Sequence, residues 1–150
     1  MSTKGSINTS IKNEKLLKFV NYVMQGGKKS LALKIISNAL EEIRSKGYKN
    51  PEEVFDKAIE NIMPKIEVRP KRVGGSIYQV PQEVKPRRQF ALATRWILQS
   101  VRQKKGQDFA RSLSQELIEA FQETGNAFKK KLDVYKMAES NKAFARFANK

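Results

Sequence analysis

Residues Lys65 to Trp96 read KIEVRPKRVGGSIYQVPQEVKPRRQFALATRW. Within this stretch Ile66, Val68 and Val73 precede Gly74-Gly75, and Ile77, Tyr78 and Val80 follow it. Two adjacent glycines accept positive φ angles, so the pair closes two antiparallel strands into a hairpin spanning 65–84. Pro70 and Pro81 cannot donate a ladder hydrogen bond, which keeps these strands out of the middle of a larger sheet and predicts a projecting arm. Pro86 suits the first turn of a helix, and Phe90, Ile97 and Val101 then fall near one face. Arg88, Arg95 and Arg102 recur every seven residues, close to two helical turns, and form a stripe on a second face. No acid lies between Glu83 and Asp108, so Lys85, Arg87, Arg88, Arg95, Arg102, Lys104 and Lys105 stand there without a counter-charge. Such a run repels itself unless an outside anion neutralises it, and a phosphate backbone is the obvious anion.

Composition bounds the rest. The 150 residues carry 30 Lys+Arg against 15 Asp+Glu, a formal net charge of +15, which implies a polyanionic partner. Histidine and cysteine are both absent. The commonest general base, the thiolate nucleophile and the usual transition-metal ligands are therefore missing, and no enzyme activity, metal or cofactor is expected. Adjacent Glu41-Glu42 and Glu52-Glu53 sit on predicted helices where neighbouring side chains diverge, a poor arrangement for paired acid–base work. No apolar run approaches the ~20 residues needed to span a bilayer, so a soluble, non-secreted protein without membrane contact is expected. Residues 1–13 are polar, basic and free of acid, and read as a flexible tail that contributes Lys4 and Lys12 to RNA contact.

Outside the hairpin the chain reads as helices. Leu16, Phe19, Val20 and Val23 make an apolar stripe that Gly26-Gly27 ends, and Leu33, Ile36, Leu40 and Ile43 make the next, which stops at Gly47. Asn50 is a candidate N-cap with Pro51 at the first helical position and Glu53 three residues after the cap; Val54, Ala58, Ile59 and Ile62 follow, and Pro64 stops the run. Asp108 is a candidate cap for a helix with Leu113, Leu117, Ala120 and Phe121, which ends at Gly125, and Asn126 is a candidate cap for a last helix with Leu132, Tyr135, Ala138 and Phe144. The expected fold is mainly α: one domain over 1–150, a bundle of about six helices with one projecting two-stranded β-hairpin arm. Phe19, Phe55, Phe90, Trp96, Phe121 and Phe144 fall on apolar stripes and are assigned to the core. Tyr78 could stack on a nucleobase or pair across the strands.

Charge is uneven along these elements. The segments 51–63 and 108–124 are acid-rich and should face solvent or protein, whereas five lysines and no acid lie between Glu14 and Glu41. Lys28 and Lys29 follow the glycines, where a loop can approach a phosphate closely. The order Gly26-Gly27-Lys28-Lys29-Ser30 lacks the upstream glycine and preceding strand of a nucleotide-binding loop, so a helix-to-helix turn with an RNA contact is the better reading. The candidate nucleic-acid surface comprises Lys28, Lys29, the arm cations Arg69, Lys71 and Arg72, and Arg87, Arg88, Arg95, Arg102, Lys104 and Lys105. Its alternative is a set of merely solvated faces.

The motif Lys71-Arg72-Val73-Gly74-Gly75-Ser76-Ile77-Tyr78-Gln79-Val80-Pro81, followed by Ala91-Leu92-Ala93-Thr94-Arg95-Trp96, resembles the bacterial-type small-subunit ribosomal protein S seven family. Phe19-Val20-Asn21, the run Met24 to Ser30 and the run Met137 to Ala145 look like the same family in the same order. The chain differs from many members at its ends, having only Lys4 and Lys12 as basic residues before Lys15 and closing on Arg146-Phe147-Ala148-Asn149-Lys150. The resemblance implies a structural constituent of the small ribosomal subunit that binds the 3′ major domain of its rRNA and nucleates assembly of the subunit head. It further implies that Val73, Gly74, Gly75, Ser76 and Tyr78 form an arm tip near exit-site tRNA and mRNA, and that Tyr135 to Phe147 meets a neighbouring ribosomal protein. The ribosome would lie in a bacterial cytoplasm, a plastid stroma or a mitochondrial matrix. The alternative from another class is an architectural, nucleoid-type protein that lays its arm in a DNA minor groove.

Overall fold

The computed structural model describes residues 13–24, 27–104 and 106–149; Lys4, Lys12 and Lys105 lie outside them. Six α-helices and one antiparallel hairpin appear among the described residues: α1 (Glu14–Val23), α2 (Lys29–Ser45), α3 (Pro51–Ile62), β1 (Ile66–Val73), β2 (Ser76–Glu83), α4 (Pro86–Gln103), α5 (Phe109–Phe121) and α6 (Asn126–Ser140), followed by a 3-10 segment (Lys142–Asn149).

The Asn50 and Asp108 caps operate where expected, whereas the cap expected at Asn126 is corrected: that residue is already helical and Gly125 holds the cap position. Asn50 Oδ1 accepts from Glu53 N at 3.4 Å with Pro51 at the helix start, and Asp108 Oδ2 accepts from Arg111 N at 3.3 Å. Asn13, unassigned from the sequence, caps α1 through Lys15 N at 2.9 Å and Leu16 N at 3.4 Å. The acid-rich helix α3 is the hub, touching each of the other five helices and packing most extensively on α5. Phe55 on α3 is fully buried and meets Phe19 of α1 edge to face at a centroid separation of 5.2 Å. Ile59, Ile62, Ile97, Leu113 and Leu117 complete the centre.

Two buried polar residues join the far ends of helices. Asn61 Nδ2 donates to the carbonyls of Ala120 (2.9 Å) and Phe121 (3.3 Å) in the last turn of α5, the former also accepting from Glu123 N at 3.0 Å. Glu116, with its side chain 1% exposed, accepts from Ala127 N at 3.1 Å and so caps α6, whose own N-cap residue, Gly125, has no side chain to do it. Its second oxygen accepts no hydrogen bond but lies 3.5 Å from Lys104 Nζ, an ion contact at the end of α4.

The hairpin register pairs Val73 with Ser76, leaving Gly74 and Gly75 as the two-residue turn. Both carry positive φ, +59° and +88°, as a type I′ turn requires. Val80, Pro81 and Val84 are buried where the arm meets the bundle, while Gly74, Gly75, Ser76 and Ile77 are exposed at its end. The expectation that Phe144 belongs to the core is corrected. It lies beyond α6, in the 3-10 segment, and packs on the arm: Tyr78 is 5.0 Å from Phe144 and 5.1 Å from Phe147, ring centre to ring centre. The physical reason is the tighter helix, whose three-residue period eclipses side chains at i and i+3, so the two phenylalanine rings stand nearly parallel at 11° on one side. Lys71, opposite Tyr78 in the register, donates from Nζ to Ala148 O at 3.1 Å. Tyr78 thus sits across the strands from Lys71, one of the two readings left open for it, and its ring is in addition clasped by the C-terminal segment. Leu132, expected on the apolar face of α6, is instead 49% exposed.

Two expectations follow. Glu116→Ala should cost about 1–3 kcal/mol in urea unfolding because it strands a buried N–H, with Glu116→Gln costing less because an acceptor remains; equal losses would refute the cap. Replacing Phe144 and Phe147 together by alanine should accelerate hydrogen exchange in β1 and β2 while leaving α3 and α5 at parental rates. Unchanged exchange in the arm would show that the clasp does not brace it.

Candidate nucleic-acid interface

Helix N-termini divide into two kinds here. Those of α1, α3 and α5 carry side-chain caps from Asn13, Asn50 and Asp108, and α6 borrows Glu116. Those of α2 and α4 have no side-chain cap and no acid in the first turn. Cations stand there instead: Lys28 and Lys29 at α2, and Lys85, Arg87 and Arg88 at α4. A positive charge near a helix N-terminus is unfavourable in isolation, since the open N–H groups already present positive potential. The same combination of free N–H groups and basic side chains suits an oxyanion such as a phosphate.

The fold brings several of these residues together. Lys28 and Arg102 line one cavity of about 230 Å³ with Val23 and Met24 at the end of α1. At the opposite end of α4, Arg87 shares a groove with Lys15 and Lys18 at the start of α1. Helices α1 and α4 therefore share the walls of both openings. Arg95 is exposed midway along α4, whose 18 residues extend about 27 Å. Lys28, Arg87, Arg95 and Arg102 thus mark a basic face that crosses more than one element. Lys15 and Lys18 belong to it and were not singled out from the sequence; the only sequence signal was the acid-free interval after Glu14. Arg69 and Arg72 are exposed on β1, apart from this face along the arm.

Three candidate cations have partners inside the protein, and two of them, Arg88 and Lys104, correct the expectation of an interval without counter-charge. Arg88 donates to Glu67 through two parallel bonds, Nε to Oε2 at 2.7 Å and Nη2 to Oε1 at 3.0 Å. Lys104 meets Glu116, and Lys71 is held by Ala148 O. Glu67 and Glu116 lie outside the Glu83–Asp108 interval in sequence, and only the fold carries them to it. The hydrogen bond to Glu67 raises the Arg88 guanidinium above its ordinary range, partial desolvation opposes this, and Coulombic attraction to Glu67 adds to the rise. The fork ties the start of α4 to the base of β1 and therefore helps to set the arm's direction.

Among the described residues no cluster of three or more acidic side chains could hold a metal ion, and no helix is long and apolar enough to cross a membrane. The profile of the family described as ribosomal protein S7p/S5e matches residues 3–142. Small ribosomal subunit protein uS7 of Petrotoga mobilis is 54% identical over 132 residues, covering 88% of this chain and 85% of that protein. The uS7 proteins of Thermosipho africanus, 52% identical over 87% of this chain and 84% of that protein, and of Sulfurimonas denitrificans, 52% identical over 88% and 85%, are similar to the same extent. With the match running through α1, the arm, α4 and α6, the chain belongs to the ribosomal protein S7p/S5e family.

Proposed function

We propose that this protein is a structural, non-catalytic constituent of the small ribosomal subunit, on the ribosome of a bacterial cytoplasm or of an organelle derived from one. In this reading it binds the 3′ major domain of small-subunit rRNA and nucleates assembly of the head. The observation that carries it is the placing of cations, in place of acids, at the two helix N-termini that lack side-chain caps. Family membership and the bacterial uS7 relatives support the ribosomal setting.

Lys28 and Lys29 at the start of α2 and Arg87, Arg95 and Arg102 on α4 would neutralise and position phosphates, with Arg69 and Arg72 continuing along the arm. Arg88, Lys104 and Lys71 would act mainly by holding the scaffold that presents them. Recognition would rest on the shape of a folded RNA, since side chains cannot read the deep, narrow groove of an A-form helix. The exposed turn at Gly74-Gly75, with Val73 and Ser76 beside it, would reach toward exit-site tRNA and mRNA. Phe144 and Phe147 are engaged with Tyr78, so a neighbouring ribosomal protein would meet α6 through exposed Met137 and Leu132.

Binding titrations against the 3′ major domain, a scrambled RNA of equal length and duplex DNA at several salt concentrations test the reading. Six neutralised phosphates predict a log–log salt slope of about −4 to −5, with preference for the rRNA domain persisting at high salt. Equal binding to all three polymers would favour the nucleoid alternative. Reversing Arg95 and Arg102 to glutamate should cost several kcal/mol of RNA affinity and flatten the slope by roughly two, with the melting midpoint little changed because both side chains are exposed. Parental affinity in that variant would remove the α4 stripe from the interface.

A further inference from the structure

Lys15, Lys18, Asn21 and Tyr22 of α1 face Arg87 and Phe90 of α4 across a groove of about 830 Å³, within the ~300–1,000 Å³ typical of small-ligand sites. No acidic side chain lines the groove, and none of the three cations takes part in an ion pair among the described residues. The groove is also aromatic. Tyr22 is 45% exposed, and its ring leans on nearly buried Phe90 at 6.3 Å with a 57° tilt, leaving part of the ring open. A surface that met only the phosphates of a duplex would have no use for a ring among its cations, because paired bases are stacked on one another and out of reach. A ring flanked by cations suits an unpaired nucleotide, whose base stacks on the aromatic face while its phosphates meet the charges. Asn21 adds an amide that can both donate to and accept from a base edge.

We propose that the groove between α1 and the start of α4 receives an unpaired RNA nucleotide, its base stacked on Tyr22 and its phosphates held by Lys15, Lys18 and Arg87. The proposal rests on the rRNA-binding reading and deepens it, naming a flipped-out or junction nucleotide as the feature recognised at this place. Titration of the full chain and of its Tyr22→Phe and Tyr22→Leu variants against the 3′ major domain tests it, with melting midpoints measured alongside. Tyr22→Phe keeps the ring and should bind within about twofold of the parent. Tyr22→Leu keeps bulk against Phe90 without the stacking face and should bind about tenfold more weakly at an unchanged melting midpoint, the size of one lost base stack. Ultraviolet irradiation of the parental complex should cross-link Tyr22 to a nucleotide that chemical probing finds unpaired. Parental affinity in Tyr22→Leu overturns the proposal and leaves the groove to phosphates alone or to an acidic segment of a neighbouring protein. The rRNA reading survives that result if Lys15→Glu with Lys18→Glu still weakens binding. Failure of the parent to prefer the rRNA domain over scrambled RNA removes both readings together.

Discussion

Self-repulsion among 30 cations set against 15 acids is the constraint on which the rest of this structure depends. A compact chain of this charge must keep its cations apart and let a hydrophobic centre outweigh what repulsion remains. The acid-rich helices α3 and α5 pack on each other at that centre, and the lysines and arginines stand outside it. Only a few acids neutralise the candidate cations, and they do so at joints. Glu67 takes Arg88 where the arm leaves the bundle, and Glu116 takes Lys104 where α4 approaches the cap of α6.

What remains uncompensated is informative because the fold had the means to compensate it. The same chain caps α1, α3 and α5 with asparagine or aspartate, yet begins α2 and α4 with lysine and arginine. Stability alone would favour Asp or Ser at those two positions by about 1 kcal/mol each. Leaving the N–H groups open and adding positive charge destabilises the isolated protein slightly and prepares it for phosphate. Local rules broken at particular sites, against a background where they hold, are a mark of function.

Local signals were the legible part of this sequence. The Gly74-Gly75 turn, the Asn50-Pro51 and Asp108 helix starts, and the apolar stripes of α1 to α5 each depend on residues within one or two turns of one another, and they specify the mainly helical fold with its hairpin. Long-range pairings were not legible. Nothing near Arg88 announces Glu67, and Glu116 reads as one more solvated acid until the fold turns it inward to Ala127 N. Phe144 was misread because its spacing from Leu132, Tyr135 and Ala138 fits an α-helical stripe, whereas the 3-10 segment turns it, with Phe147, to Tyr78. Lys15 and Lys18 were passed over for a related reason: a lysine on a helix has no address until a neighbouring helix supplies a wall.

The arm shows how these long-range pairings act together. A two-stranded hairpin alone is marginal in water and would swing about its base. Here it is held at three levels. β1 packs on α6, the Glu67–Arg88 fork fixes the arm to α4, and the Tyr78–Phe144–Phe147 clasp with the Lys71–Ala148 bond stiffens it farther out. Beyond the clasp only the turn and the residues beside it are free. On the proposed reading, rRNA seated along α4 lies next to the one direct ion pair between that helix and the arm among the described residues, a planar two-bond geometry that lysine could not reproduce.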